Sequence, residues 1–127
     1  MQYDRKITIS AGNNRRAMTW TPQTMLISEL WARLQTPARG TETLAEYLNM
    51  KKAQQDDLKD VGGFMAGTLS GPRRKANAVT GRDVVTLDLD NIPSGGTQDV
   101  LRRVEALGCG YCIYSTRKHS PAAPRLR

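Results

Sequence analysis

Histidine occurs once in this chain of 127 residues and cysteine only twice, at Cys109 and Cys112. A structural zinc site takes four ligands, and Cys109-Gly110-Tyr111-Cys112 has neither a second cysteine pair nor enough histidine to complete one. A redox pair fares no better. In a strand, residues three apart face opposite sides, so the two thiols would diverge and read as small buried hydrophobes in a reducing cytosol. Aromatic residues are scarce too, at 6% against a hydrophobic content of 39%, which suits a modest mixed α/β core and not a large obligate interface. No apolar run reaches spanning length, no basic amphipathic helix has an aromatic edge, and no signal-peptide pattern opens the chain. The expectation is a cytoplasmic protein with no membrane role. Acidic side chains are in short supply: 12 Asp and Glu face 19 Lys and Arg, a net charge of +7. Such a surplus points to an anionic partner, most simply nucleic acid or nucleotide. The length suits one domain, 1–127, with a usable core.

The few acids are not scattered evenly. Asp88 and Asp90 close the most strand-like run of the chain, Val84-Val85-Thr86-Leu87-Asp88-Leu89-Asp90. Strand alternation puts Val85, Leu87 and Leu89 on one face and both aspartates on the other. Two adjacent carboxylates repel unless a cation lies between them or one keeps its proton. Oxygen-only ligands of this kind suit Mg²⁺ or Mn²⁺, held by one or two carboxylates and by substrate phosphates. The plain alternative is a strand running out into an acidic turn, since Asn91-Ile92-Pro93-Ser94-Gly95-Gly96 is a loop.

Beyond that loop, Val100, Leu101, Val104 and Leu107 mark one helical face, and Gly108 is a natural stop. Tyr111-Cys112-Ile113-Tyr114 reads as a second strand, leading into Ser115-Thr116-Arg117-Lys118-His119. A strand–helix–strand unit of this kind implies parallel strands joined by a right-handed crossover, which brings both strand ends to one sheet edge. The acid pair and the basic 115–119 segment then share a site. The expected class is α/β (α+β): a small mixed sheet with this unit, preceded by a partly helical N-terminal part.

In that first part, 1–60, Arg5-Lys6-Ile7-Thr8-Ile9-Ser10 alternates as a short strand ending at Gly12-Asn13-Asn14. A helix is expected after Pro22, with Met25, Leu26, Leu30 and Leu34 at helical spacing, Trp31 beside them, and an end near Pro37. Thr43-Leu44-Ala45-Glu46 spells a capping box for a second helix, whose polar continuation past Lys51-Lys52 predicts a solvated face or a break. In the second part, 61–127, the glycine-dense 62–71 segment has no P-loop or dinucleotide fingerprint and reads as a loop with a short strand. Arg73-Arg74-Lys75 follows with no acid nearby, either as solvated surface or as a phosphate contact that positions a nucleic-acid backbone.

The stretch from Lys59-Asp60-Val61-Gly62-Gly63-Phe64 onward resembles the archaeo-eukaryotic primase superfamily, and more closely the primase-like N-terminal region of phage virulence-associated E proteins. The matching text is, in order, Gly71-Pro72-Arg73-Arg74-Lys75, Leu87-Asp88-Leu89-Asp90, Tyr114-Ser115-Thr116-Arg117-Lys118-His119-Ser120 and Pro124-Arg125-Leu126-Arg127. A paired-Asp strand is common; the ordered set of four is far more specific. The resemblance implies that Asp88 and Asp90 hold catalytic Mg²⁺ or Mn²⁺, and that Ser115 and His119 meet the phosphates of a nucleoside triphosphate. Beside them, Arg117, Arg125 and Arg127 could add bidentate phosphate bonds, with a frayed basic terminus as the plain alternative for Arg127. The implied function is a primase-polymerase-type nucleotidyltransferase of phage or mobile-element replication. Its partners would be single-stranded or template DNA and a helicase or other replication protein. Such primases use a third carboxylate on a later strand, and the sequence ends at Arg127 before reaching it. Fragment and natural short form both stay open, as does a non-catalytic module that binds nucleic acid or a replication or defence protein by occupancy.

Overall fold

The protein is described by a computed structural model covering residues 3–127. Its elements run β1 Lys6–Gly12, β2 Thr21–Leu26, α1 Ile27–Leu34, α2 Leu44–Asn49, α3 Lys52–Lys59, β3 Gly63–Met65, β4 Gly67–Leu69, β5 Val79–Arg82 and α4 Thr97–Glu105. The described residues form two compact units, one of residues 3–41 with Met50–Val85 and the other of Glu42–Asn49 with Thr86–Arg127. The expected α+β class is what the structure has, with small antiparallel sheets alongside four helices among the described residues.

In the first unit, β1 is the central strand of the order β2-β1-β3, antiparallel to both neighbours. Its alternation buries Ile7 and Ile9, which with Met25 and Leu30 form the core, flanked by Ile27, Trp31, Leu34, Phe64 and Val84. β4 and β5 form a second antiparallel pair, and Ser10 Oγ joins the two sheets by donating to the Gly67 carbonyl at 3.0 Å.

The helix expected from Pro22 starts later. Thr21–Leu26 is instead an edge strand, in which Met25 sits opposite Ile7 and Pro22 opposite Ser10. An edge strand tolerates a proline because one of its sides needs no ladder donor. Threonine at positions 21 and 24 favours the pleat, and burying Met25 against Ile7 outweighs the helical spacing. The helix begins where acids can take its orphan N–H groups: Glu29 Oε2 accepts the Leu26 N–H at 2.7 Å and Asp4 Oδ1 accepts the Ser28 N–H at 3.0 Å. It ends at Leu34, before Pro37 as expected.

One lock escaped the sequence reading. β3 pairs only with residues 10–12 of β1, so the Thr8 N–H would lack a strand partner on that side. The Asp83 carboxylate accepts it at 2.7 Å and also pairs with Arg5 at 3.2 Å. The Thr8 amide, then Arg5, hold the Asp83 carboxyl below the ordinary carboxylate range. Its contribution to stability is therefore present above the unfolded-state pKa and lost as pH falls through the folded one.

In the second unit the Thr43 capping box forms as read. Glu46 Oε2 accepts the Thr43 N–H at 2.7 Å, and the Glu46 N–H reaches Thr43 Oγ1 at 3.3 Å. The expected break past this helix is real, with α3 a separate element assigned to the first unit. The 62–71 segment supplies two short strands, β3 and β4, where one was expected. α4 spans the expected face, Val100, Leu101 and Val104 half-buried, while Leu107 is exposed beyond its end. Gly108, at φ 64°, turns the chain out of the helix.

Candidate functional site: an acid–arginine ladder

The 84–90 run is not a continuous strand. Leu89 alone of it pairs, through a single bridge to Leu126. The apolar face expected behind the acids is also incomplete: Val85 is 75% and Leu87 59% exposed. Leu89 is half-buried.

The two segments flanking α4 do run in the same direction, but they are not neighbours. Leu89 and Ser115 each pair antiparallel with Leu126, so residues 125–127 lie between them. Leu89 and Leu126 exchange both backbone bonds, at 2.9 and 3.1 Å, and on the other side Tyr114 and Arg127 exchange theirs at 3.0 and 2.9 Å. The Thr116 N–H donates to the Arg125 carbonyl at 3.1 Å. The physical reason is Leu126, 4% exposed, whose burial draws the terminal segment into the middle position.

This register sorts the side chains. Directly paired residues share a face, and neighbours along a strand alternate. Leu89, Leu126 and Ser115 therefore form one row. On the opposite face Asp88 stands across from Arg127, and Asp90 across from Arg125. Arg127 Nε donates to Asp88 Oδ1 at 2.6 Å, and Arg125 Nη1 lies 3.3 Å from Asp90 Oδ1. Hydrogen bonding to Asp88 pushes the Arg127 guanidinium above its ordinary range, with Tyr114 adding to the effect. The result is two cross-strand rungs on one open face, every charged member at least a third exposed.

His119 sits beside Arg125, on the Ser115 side of the middle segment. Its Nδ1 accepts the Arg125 N–H at 3.2 Å and lies 3.3 Å from the Arg125 carbonyl. In the neutral ring the amide bond assigns Nδ1 as acceptor and leaves the proton on Nε2. In that tautomer Nε2–H is the ring's donor.

The remaining expected site residues separate from this face. Ser115 is exposed but belongs to the Leu89–Leu126 row, opposite the carboxylates. Arg117 pairs with Glu42, just before the α2 cap, and lies 4.9 Å from the Tyr47 ring centroid. It braces the segment against that helix. Arg73, Arg74 and Lys75 are exposed on the first unit. Residues 109–112 are not in a strand; Cys109 is exposed, correcting the expectation of two buried thiols, and Cys112 is half-buried, its thiol pushed up by that burial. The 125–127 arginines are the partners that sequence reasoning undervalued. Their signal was present in the text, an Arg-Leu-Arg matching Asp-Leu-Asp residue for residue.

Among the described residues no cluster of three or more His, Cys, Asp or Glu could by itself hold a metal ion. Two exposed carboxylates two residues apart on one face still fit a divalent cation that takes its other ligands from water and phosphate. No described helix is long and apolar enough to cross a membrane. Searches of curated proteins and of solved structures found no match. The family model for the VapE N-terminal domain matches residues 1–127, the same span that carries the ladder and its histidine, and the chain belongs to that family.

Proposed function

We propose that this VapE N-terminal domain handles nucleotide and nucleic acid as part of a primase-polymerase-type nucleotidyltransferase of phage or mobile-element replication. The observation that carries the reading is the ladder: Asp88 and Asp90 on one face, each beside an arginine, with His119 seated on Arg125. Carboxylates can hold a divalent cation while arginines and a histidine N–H clamp triphosphate oxygens. A bound Mg²⁺ or Mn²⁺ would neutralise triphosphate charge and lower the pKa of an attacking hydroxyl. The chain's own residues bind and orient. Asp88 and Asp90 supply oxygens, Arg125 and Arg127 exchange carboxylate for phosphate, and the Nε2–H of His119 adds a donor.

Mn²⁺ should bind weakly alone and more tightly with a nucleoside triphosphate, because phosphate oxygens complete its shell. Titration of the wild type and an Asp88→Asn, Asp90→Asn double variant checks this. Equal affinity in the two proteins would remove the metal from the site.

A second reading is favoured by the pairing itself. With both aspartates already neutralised by arginine, the ladder can serve structure alone in a module that binds nucleic acid by occupancy. In either reading Arg73, Arg74 and Lys75 form a phosphate-positioning surface on the first unit. Replacing all three by alanine should shallow the slope of log affinity against log salt by about two to three units. A slope that does not move would place the triplet off the binding surface.

A further inference from the structure

Trp20 is one of only two tryptophans in the chain and is buried, at 6% exposure, yet it stands outside the Ile7–Ile9–Met25–Leu30 core. It is held instead among backbone and charge. Its N–H donates to the Pro72 carbonyl at 2.7 Å, which ties it to the loop carrying the basic triplet. Its indole N–H donates to the Ala17 carbonyl at 3.2 Å, fixing the ring's orientation. Gly12 lies against the ring so closely that a Cβ there would come within 2.7 Å of it, so a glycine is what lets the indole settle flat on β1. Over the ring lies the guanidinium of Arg74, 4.7 Å from its centroid, and Arg74 is itself exposed.

We infer that the Trp20 ring is a stacking platform for a base of single-stranded nucleic acid, with Arg74 as its resting cover. Arginine and a nucleobase are both flat groups that sit on an indole face, and an exposed cation–π contact is weak enough to be exchanged for a stacked base. Arg73 and Lys75, exposed on either side of Arg74 in the chain, would hold the flanking phosphates while Arg74 moves from ring to backbone. Single-strand binders pair a basic groove with an aromatic face in this way, and the pairing tolerates any base. The inference rests on the phosphate-binding reading of the triplet and adds the base contact to it.

The test uses a Trp31→Phe variant of the full chain, in which Trp20 is the sole tryptophan reporter. It is titrated with an oligothymidylate of about twelve nucleotides, within the usual span of a single-strand site, and with an abasic deoxyribose-phosphate oligomer of equal length. Labelled oligomers report binding by anisotropy; indole emission reports stacking. The expected result is strong quenching by the thymidylate, with the abasic oligomer binding roughly tenfold more weakly and leaving the emission nearly unchanged. Quenching should survive Arg74→Ala, since the cover is not the platform. If both oligomers bind equally and neither alters the emission, the platform is overturned while the phosphate surface stands. If neither oligomer binds, both readings fail together.

Discussion

Leu126→Ala will loosen the second unit by about 2–4 kcal/mol, the usual range for truncating a buried leucine. Leu126 is 4% exposed and is the one residue bridged to both Leu89 and Ser115. Its side chain holds the middle segment in place, so the loss reaches both rungs on the opposite face. Amide hydrogen exchange reads it directly. The N–H groups of Leu89, Leu126, Tyr114 and Arg127, which close the pairings, should exchange between about thirtyfold and a thousandfold faster if opening of this unit limits exchange. Leu126→Met, which keeps the volume, should cost less than about 1.5 kcal/mol. Unchanged protection in Leu126→Ala would mean that the three segments are held by something other than this leucine.

An Arg125→Ala, Arg127→Ala double variant will bind Mn²⁺ more tightly in the absence of nucleotide. Each arginine competes with a cation for a carboxylate. Because the pairs are a third to more than half exposed, each is worth at most about 1 kcal/mol after solvent screening. Removing both should therefore tighten Mn²⁺ binding by about tenfold, at roughly 1.4 kcal/mol per decade. The same variant should lose most of the gain that a triphosphate brings to wild type, since the arginines are the groups meant to receive its oxygens. This separates the two readings of the ladder. If the acids serve only as ladder partners, stripping the arginines will create no Mn²⁺ affinity, and the metal assignment falls.

The parts of this fold legible in the sequence were those written in local chemistry. β1 follows from period-two alternation around Ile7 and Ile9, and the α2 start from the reciprocal Thr43–Glu46 bonds. α4 follows from Val100, Leu101 and Val104 ahead of a left-handed glycine. What stayed hidden depends on partners distant in sequence. Met25 fits a helical stripe as well as a strand, and only the Ile7 opposite it decides between them. Asp83 looks like a turn residue until the short reach of β3 leaves the Thr8 N–H in need of an acceptor. At the site, the two aspartates were legible as a same-face pair, but the facing of Ser115 was not. Its row depends on residues 125–127 entering between two segments that sequence order suggests should touch. Arg117 reads as one more cation of a basic loop, and Glu42, which claims it, lies 75 positions earlier (117 minus 42).

The matched spelling of the two facing segments also guards their alignment. Asp-Leu-Asp lies opposite Arg-Leu-Arg with leucine on leucine. Sliding one segment by a single residue would set leucine against charge and turn one strand's ionic side toward the interior. A slide of two would preserve the facing but keep only one of the two rungs and separate the leucines. Every wrong alignment is therefore poorer than the native one by a charge pair, a buried side chain or both. Three residues on each side are enough to act as a key that turns in one position, which a pairing this short, flanked by exposed Leu87 and a glycine-rich loop, would otherwise lack.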